Sequence, residues 1–488
     1  MLDPSRPAIL AAGVGPLPPE RPERLHAPGV RLWGMARELA RAGHRVRIAA
    51  AGFGQAAART LTIFDLAPDR DNPVLSEPTR IELAAEVLPR TLNAQAAEIH
   101  AAATVSTTDV MNHALAASGL ALPMWMDFFG DPMAEAQLLA VRGGSDEGLA
   151  RQWSLVAPAL ARADRLSGCS RDQAAAIAGQ LGAVGRLNRF TAFTPLVEVI
   201  RPWLEPIPMD IDAEPPVRGK LAPADAFIVV QTGGFNTWLD VESMFAALER
   251  AMAENPRIHF AATGGAIPGH YVGGFEWFSK QIESSPHRDR YHLLGWIPVG
   301  QVPRVILEAD LGINLDLPCA EGRLGTRNRI LDWLGAGVPT ISTPGCELAE
   351  ELGAAQLLDL VPHGDPAAAA SAILSHAADP KPGKSQATDA ADHLRRAYHP
   401  SICLRPLIDW AASPKPALDL QGYRAGNAAP SSLLGQAGDA EATYRAGMET
   451  ARRLAQIEQK LASLEGSRWV RLALKLRGRK DPDQPPQS

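Results

Sequence analysis

The sequence predicts an α/β protein made of two Rossmann-like halves, and three observations carry that prediction. Cycles of strand, glycine-bearing loop, helix and strand recur in both halves of the chain, at 8–50, 226–263 and 311–343. Ala226 to Gln231 (AFIVVQ) is a nearly unbroken apolar run, as expected of a strand buried on both faces of a parallel sheet. The 488 residues exceed what one hydrophobic core holds and suit two domains with accessory segments. The reading divides the chain into 1–205, 206–412 and a tail, 413–488.

In the first half, Ala8 to Ala12 forms a short apolar strand and is followed by a loop rich in Gly, Pro and Arg, Gly13 to Gly29. Val30 to Ala42 carries Leu32, Met35 and Leu39 at helical spacing, with Gly43 as its stop, and Arg45 to Ala50 is the next strand. Leu61 to Asp65 and Ile81 to Val87 read as further strands. Leu120 to Asp127 is a buried strand, so Asp127 and Asp131 fall where ligand-facing residues lie in such folds. Asp131 is equally suited to cap a helix beginning at Pro132. Asp164 to Cys169 is a strand, and Ser170 with Gln173 marks the start of another helix. Val197 to Ile200 closes this half, and the Pro- and acid-rich stretch 206–223 reads as a linker.

The second half opens on Ala226 to Gln231 and places Gly233 and Gly234 at the strand's end, where missing side chains admit a phosphate. Asp240 lies near the start of the following helix, and Ile258 to Thr263 is the next strand. The central cycle has a strand at Leu311 to Leu315, a loop at Asp316 to Gly325, and Thr326 as N-cap of a helix carrying Ile330, Leu331 and Leu334. Gly335 and Gly337 stop that helix, and Val338 to Thr343 is the next strand. Anions collect at helix N-termini outside the carboxyl ends of parallel strands. Glu321, Arg323, Thr326, Arg327, Asn328, Arg329 and Asp332 therefore form a candidate phosphate and sugar-hydroxyl site. Asn328, Arg329 and Asp332 share one helical face, and a solvated surface with an Arg329–Asp332 ion pair is the alternative reading. Ala387 to Trp410 is helical at both ends and broken at Pro400.

The stretches "ADLGINL" and "TRNRILDWLGAGVPTIS" resemble the nucleotide-sugar-binding region of GT-B glycosyltransferases of the family 4-like branch. The "GGFNTWLD" loop and the opening helix ending "ELARAGHRV" resemble the same branch. The resemblance implies a glycosyltransferase, hexosyl-transferring, retaining and metal-independent, with no cofactor beyond a nucleotide-diphosphate sugar donor. It places the acceptor in 1–205 and the donor in 206–412. Gly233, Gly234, Arg327 and Arg329 would then hold the diphosphate, Asp332 the ribose hydroxyls, and Glu321 would lie near the sugar as the catalytic acid group. Gly29 and Arg31 would face the cleft, with Asp127 on the acceptor side. The terminal helices would cross back to the first domain. The family's two glutamates eight residues apart are replaced here by Leu324 and Asp332, which leaves Glu321 for the acidic role. That departure keeps a second reading open, an inactive homologue that binds a sugar nucleotide or scaffolds a glycan-assembly complex.

A formal net charge of −6 argues against general nucleic-acid binding. Cys169, Cys319, Cys346 and Cys403 are scattered with no CxxC pair, which fits a reducing compartment and offers no metal site. The first residues lack a signal-peptide pattern and no run spans a bilayer, so a cytoplasmic protein is expected. In the tail, Leu454, Ile457, Leu461 and Leu464 fit a short coiled coil within 440–464. Ser467 to Lys480 carries six basic residues and no acid, with Trp469, Leu472, Ala473 and Leu476 on one face. This basic amphipathic pattern suits peripheral attachment to an inner-leaflet surface and, with it, a glycan or lipid-linked acceptor in polysaccharide assembly.

Overall fold

The computed structural model describes residues 6–20, 22–52, 60–67, 69, 71, 73–82, 87–205, 214 and 216–424. All belong to one compact unit, Met1–Ala429. The expected coiled coil and basic helix lie outside these residues, as does much of the 206–223 linker.

Fourteen described strands build two sheets. The first contains β1 (Ile9–Val14), β2 (Val46–Ala51), β3 (Thr60–Leu66), β4 (Thr79–Glu82), β5 (Ala103–Thr107), β6 (Met124–Phe128), β7 (Arg165–Gly168) and β8 (Val197–Val199). Their spatial order is β4-β3-β2-β1-β5-β6-β7-β8. The β3 strand runs antiparallel to both β2 and β4, and the rest of the sheet is parallel. The second sheet holds β9 (Phe227–Gln231), β10 (Ile258–Thr263), β11 (Tyr291–Gly295), β12 (Leu311–Asn314), β13 (Thr340–Ser342) and β14 (Asp359–Leu360). Its order is β11-β10-β9-β12-β13-β14, parallel throughout. Strand order reverses direction between β1 and β5 in one sheet and between β9 and β12 in the other. Outside the carboxyl ends of such neighbours, an open α/β sheet leaves a crevice for ligands.

The residue chemistry explains the elements. Leu32, Met35, Ala36 and Leu39 bury one stripe of the Ala27–Arg41 helix against Ile9, Ile48 and Phe64 of the first sheet. Asp131 accepts from the backbone N–H groups of Met133 and Ala134, so of the two readings the capping one describes its Oδ1. Ser170 caps its helix at Gln173 N, and Asp240 caps the Val241–Glu254 helix at Ser243 N. Two expectations are corrected. The loop after β12 contains a further helix, Ala320–Leu324, started by Cys319, whose sulfur accepts from Gly322 N. Thr326 does not cap the next helix: that helix is Asn328–Gly335 with Arg327 at its N-cap position, and the Thr326 hydroxyl has no partner among the described residues.

The helices at Pro380–Ala397, Pro400–Cys403 and Arg405–Ala411 cross back to the first sheet. One continuous core joins Ile9, Val105 and Trp125 of that sheet to Ile330, Leu331 and Leu334 of the Asn328–Gly335 helix and to Leu394, Leu404 and Leu407. The two sheets are thus cemented at one side of the cleft by apolar packing.

Candidate functional site

The second-domain wall of the cleft starts where β9 ends. Gly233 has φ +86°, and a Cβ on the neighbouring Gly264 would sit 2.2 Å from the Gly233 carbonyl oxygen. The loops after β9 and β10 therefore cross in backbone contact that side chains would prevent. Arg329, on the first turn of the Asn328–Gly335 helix, is buried and donates from Nη2 to the Gly234 carbonyl at 3.0 Å. The solvated-surface reading of that helix face is thereby corrected. Burial lowers the Arg329 pKa to about 10, with Arg327 nearby adding repulsion. Its Nη1 has no hydrogen-bond partner among the described residues, and neither do the buried Thr326 Oγ1, Asn328 Oδ1 and Asp316 Oδ1. Native proteins pair nearly all such atoms, so a cluster of orphans at a helix N-terminus marks a place prepared for a polar ligand.

Arg327 is also buried, but its charge is spent. Nε donates to Asp316 Oδ2 at 2.6 Å and Nη2 to Glu321 Oε2 at 3.1 Å. Burial opposes its charge, yet the two carboxylates outweigh burial and hold it protonated. The Trp238 ring lies 3.7 Å from the Arg327 guanidinium and 5.1 Å from that of Arg329, stacking both in a low-dielectric layer. Of the two arginines, Arg329 is the one left to neutralise an added anion.

Two carboxyl groups face the same space. Glu321 is buried, and that burial raises its pKa to about 7 against the opposing pull of Arg327. Asp332 is raised to about 7, first by burial and then by Glu205. No ion pair links Asp332 to Arg329 among the described residues. Near neutral pH both carboxyls can donate as well as accept hydrogen bonds, which suits sugar hydroxyls.

The first-domain wall differs from the expectation. Gly29 does not face the cleft: it is buried, and a Cβ there would meet the Pro16 carbonyl oxygen at 2.0 Å. Asp127 is fully buried and accepts from Arg31 Nε at 2.9 Å, Arg31 Nη2 at 2.8 Å and Ser167 Oγ at 2.6 Å. Arg31 also donates to the Ile200 and Arg201 carbonyls and lies 4.9 Å from the Phe129 and Trp203 rings. This pair is a clamp on the chain that passes to the second domain, and complete burial keeps its carboxylate away from a ligand in the cleft. Facing the cleft instead are Thr108 and Asp109, just beyond β5. Thr108 holds φ +73°, a costly conformation for a β-branched residue. Asp109 accepts from the Gln152 side-chain amide and the Val110 N–H. Glu135 reaches across to His270 of the second domain at 3.1 Å, and that carboxylate outweighs burial to raise the His270 pKa.

These two walls enclose a cavity of ≈ 1050 Å³. Of the residues singled out from sequence, Arg31, Gly233, Gly234, Glu321, Arg327, Arg329 and Asp332 line it, whereas Gly29 and Asp127 do not. Sequence reasoning missed Trp238, Asp316, Thr108, Asp109, Gln152 and the Glu135–His270 contact. Asp316 lies two residues past the end of β12 and was open to the strand-end rule; a strained φ at Thr108 leaves no sequence signal.

No protein-family model matches the chain, and no curated protein matches it in sequence. Solved structures do resemble it in fold. Sucrose-phosphate synthase from Thermosynechococcus elongatus superposes with a TM-score of 0.57 at 15% identity, over 83% of this chain and 98% of that one. Anabaena Alr3699/HepE in complex with UDP-glucose gives 0.53 at 13% identity, over 84% of this chain and 100% of that one. A UDP-forming α,α-trehalose-phosphate synthase from Burkholderia xenovorans gives 0.52 at 12%, over 67% and 78%. At such identities the likeness concerns architecture: the chain has the two-domain GT-B fold.

Proposed function

We propose that this protein is a glycosyltransferase that moves a hexosyl group from a nucleotide-diphosphate sugar to a glycan or lipid-linked acceptor in cell-surface polysaccharide assembly. The observation that carries the reading is the buried, half-paired Arg329 guanidinium beside Gly234, at the N-terminus of the Asn328–Gly335 helix. HepE, which shares the fold, is seen with UDP and with UDP-glucose.

In this reading the diphosphate lies along Gly233 and Gly234, and Arg329 with the helix N–H groups stabilises the negative charge as the glycosidic bond to the diphosphate breaks. Positive charge is supplied by the chain, so the transfer is metal-independent. Arg327 has a supporting role, fixing Asp316 and Glu321. Asp332 takes the ribose hydroxyls and Glu321 a hydroxyl of the sugar. The acceptor oxygen attacks from the first-domain side, and its proton leaves to the departing phosphate oxygen on the same face, which retains configuration. Residues 1–205 present the acceptor and 206–412 the donor. The basic stretch 467–480 holds the enzyme at the cytoplasmic face of the membrane, where a lipid-linked acceptor would be met. No described helix is long and apolar enough to cross a membrane.

A thermal-shift screen against UDP-, GDP-, ADP- and dTDP-sugars tests this. A ligand at a hundred times its dissociation constant stabilises the fold by about 2.7 kcal/mol, and one nucleotide class should stand out. Silence from all four would favour a scaffold that has lost its donor site.

A further inference from the structure

We propose that the first-domain wall made by Thr108, Asp109, Glu135 and Gln152 is the acceptor subsite, and that it takes an uncharged, hydroxyl-rich sugar rather than a sugar phosphate. The inference rests on the glycosyltransferase reading above and names the substrate class that reading leaves open.

Three observations converge on this wall. It lies at the reversal of strand order in the first sheet, where β1 and β5 diverge and leave a crevice at their carboxyl ends. There, Thr108 keeps φ +73° although it is β-branched, and strain of that kind persists where the surrounding structure holds it for a purpose. The strained turn delivers Asp109 to the cavity with only neutral partners, the Gln152 amide and the Val110 N–H. Burial raises the Asp109 pKa against these two donors, and a carboxylate accepts about four hydrogen bonds, so this one has room for more donors. Sugar hydroxyls are donors.

Charge decides between the ligand classes. The cations beside this wall are already occupied or neutral. Arg31 is committed to Asp127, and His270 to Glu135. The His26 ring, set edge-on to Trp296, has its pKa lowered to about 4 by burial and then by Arg24 and His270. What remains is Asp109, whose partners are both neutral, and Glu135, already paired with His270, with the exposed Arg151 at the rim. A phosphoryl group brought against this wall would lose water with no unpaired buried cation to replace it. A neutral polyol would pair with the carboxyls.

Saturation-transfer NMR on the full chain, with saturating UDP, tests this with two sets of probes. One is methyl glycosides of glucose, galactose, mannose, xylose and N-acetylglucosamine; the other is the 6-phosphates of glucose, mannose and glucosamine. The proposal expects saturation of one or more neutral glycosides, and binding about tenfold weaker in Asp109→Asn and in Gln152→Leu. Saturation of the phosphates that is lost in Arg151→Ala overturns it, as does silence from both sets or neutral binding indifferent to both variants. The UDP-induced thermal shift, measured alongside, separates the two claims. Neutral glycosides bound without any UDP effect would sink the donor reading and leave the wall standing. A UDP effect without glycoside binding would do the reverse.

Discussion

Arg31 and Asp127, 96 residues apart, form a doubly hydrogen-bonded ion pair at 2.8 and 2.9 Å with both side chains buried. The same guanidinium donates to the Ile200 and Arg201 carbonyls, so the pair ties the opening helix, the end of β6 and the segment leading to the second domain into one knot. Removing one partner leaves the other charge buried and unpaired, which costs about 3–5 kcal/mol. Asp127→Ala should lose that much stability in urea denaturation while the UDP-induced thermal shift of its folded fraction persists. A variant as stable as the parent would show that the clamp is not structural.

The Arg327 triad makes a second stability prediction. Arg327→Met strands Asp316 and Glu321 in a buried layer under Trp238 and should destabilise by about 3–5 kcal/mol. Replacing Glu321 by Gln in the same chain removes one of the stranded carboxyls and should recover part of the loss. Chemical denaturation of Arg327→Met, Glu321→Gln and the double variant measures the coupling, and additive losses would deny it.

Stability should also depend on pH with a definite sign. Glu321 rises from 4.5 to about 7 and Asp332 from 3.8 to about 7 on folding. In the window between these values the unfolded chain releases protons that the folded chain keeps. The contribution is therefore fully present below the unfolded values and is lost as pH rises through about 7. Melting temperature should fall between about pH 5 and pH 8, and Glu321→Gln with Asp332→Asn should flatten the slope. A melting temperature that instead climbs through this window would contradict the burial of both carboxyls.

Diphosphate affinity should follow the same titration. Above pH 7 the cleft gains negative charge from both groups, so calorimetric titration with UDP should weaken from pH 6 to pH 8, and less so in Asp332→Asn. Equal affinity at the two values, in parent and variant alike, would place the diphosphate away from Asp332.

Much of the fold was legible because the apolar strands and the glycine stops are local signals. Phe227–Gln231 and Leu311–Asn314 coincide with runs that no helical period explains, and the Gly337 stop follows directly from the end of the Asn328–Gly335 helix. The five-residue helix Ala320–Leu324 was not legible, since AEGRL is too short to show a period. The helix Pro380–Ala397 starts earlier than periodicity indicated, because Asp379 caps it and Pro380 opens it, a pair of local cues stronger than the weak apolar stripe. In the site, Gly233 and Gly234 could be read from one short motif and Arg329 and Asp332 from another. The Arg31–Asp127 pairing and the strained Thr108 could not, because the first is set by the packing of distant strands and the second by backbone geometry.

The central claim is that Arg329 and the Gly233–Gly234 loop hold the donor's diphosphate, and calorimetric titration of UDP into the parent and into Arg329→Met tests it most directly. Methionine keeps the bulk under Trp238 and removes a buried cation with a single protein partner, so the fold should persist. The account predicts saturable UDP binding by the parent and a loss of about 1.5–3 kcal/mol, tenfold or more, in the variant. Unchanged UDP affinity in a folded Arg329→Met protein would contradict it.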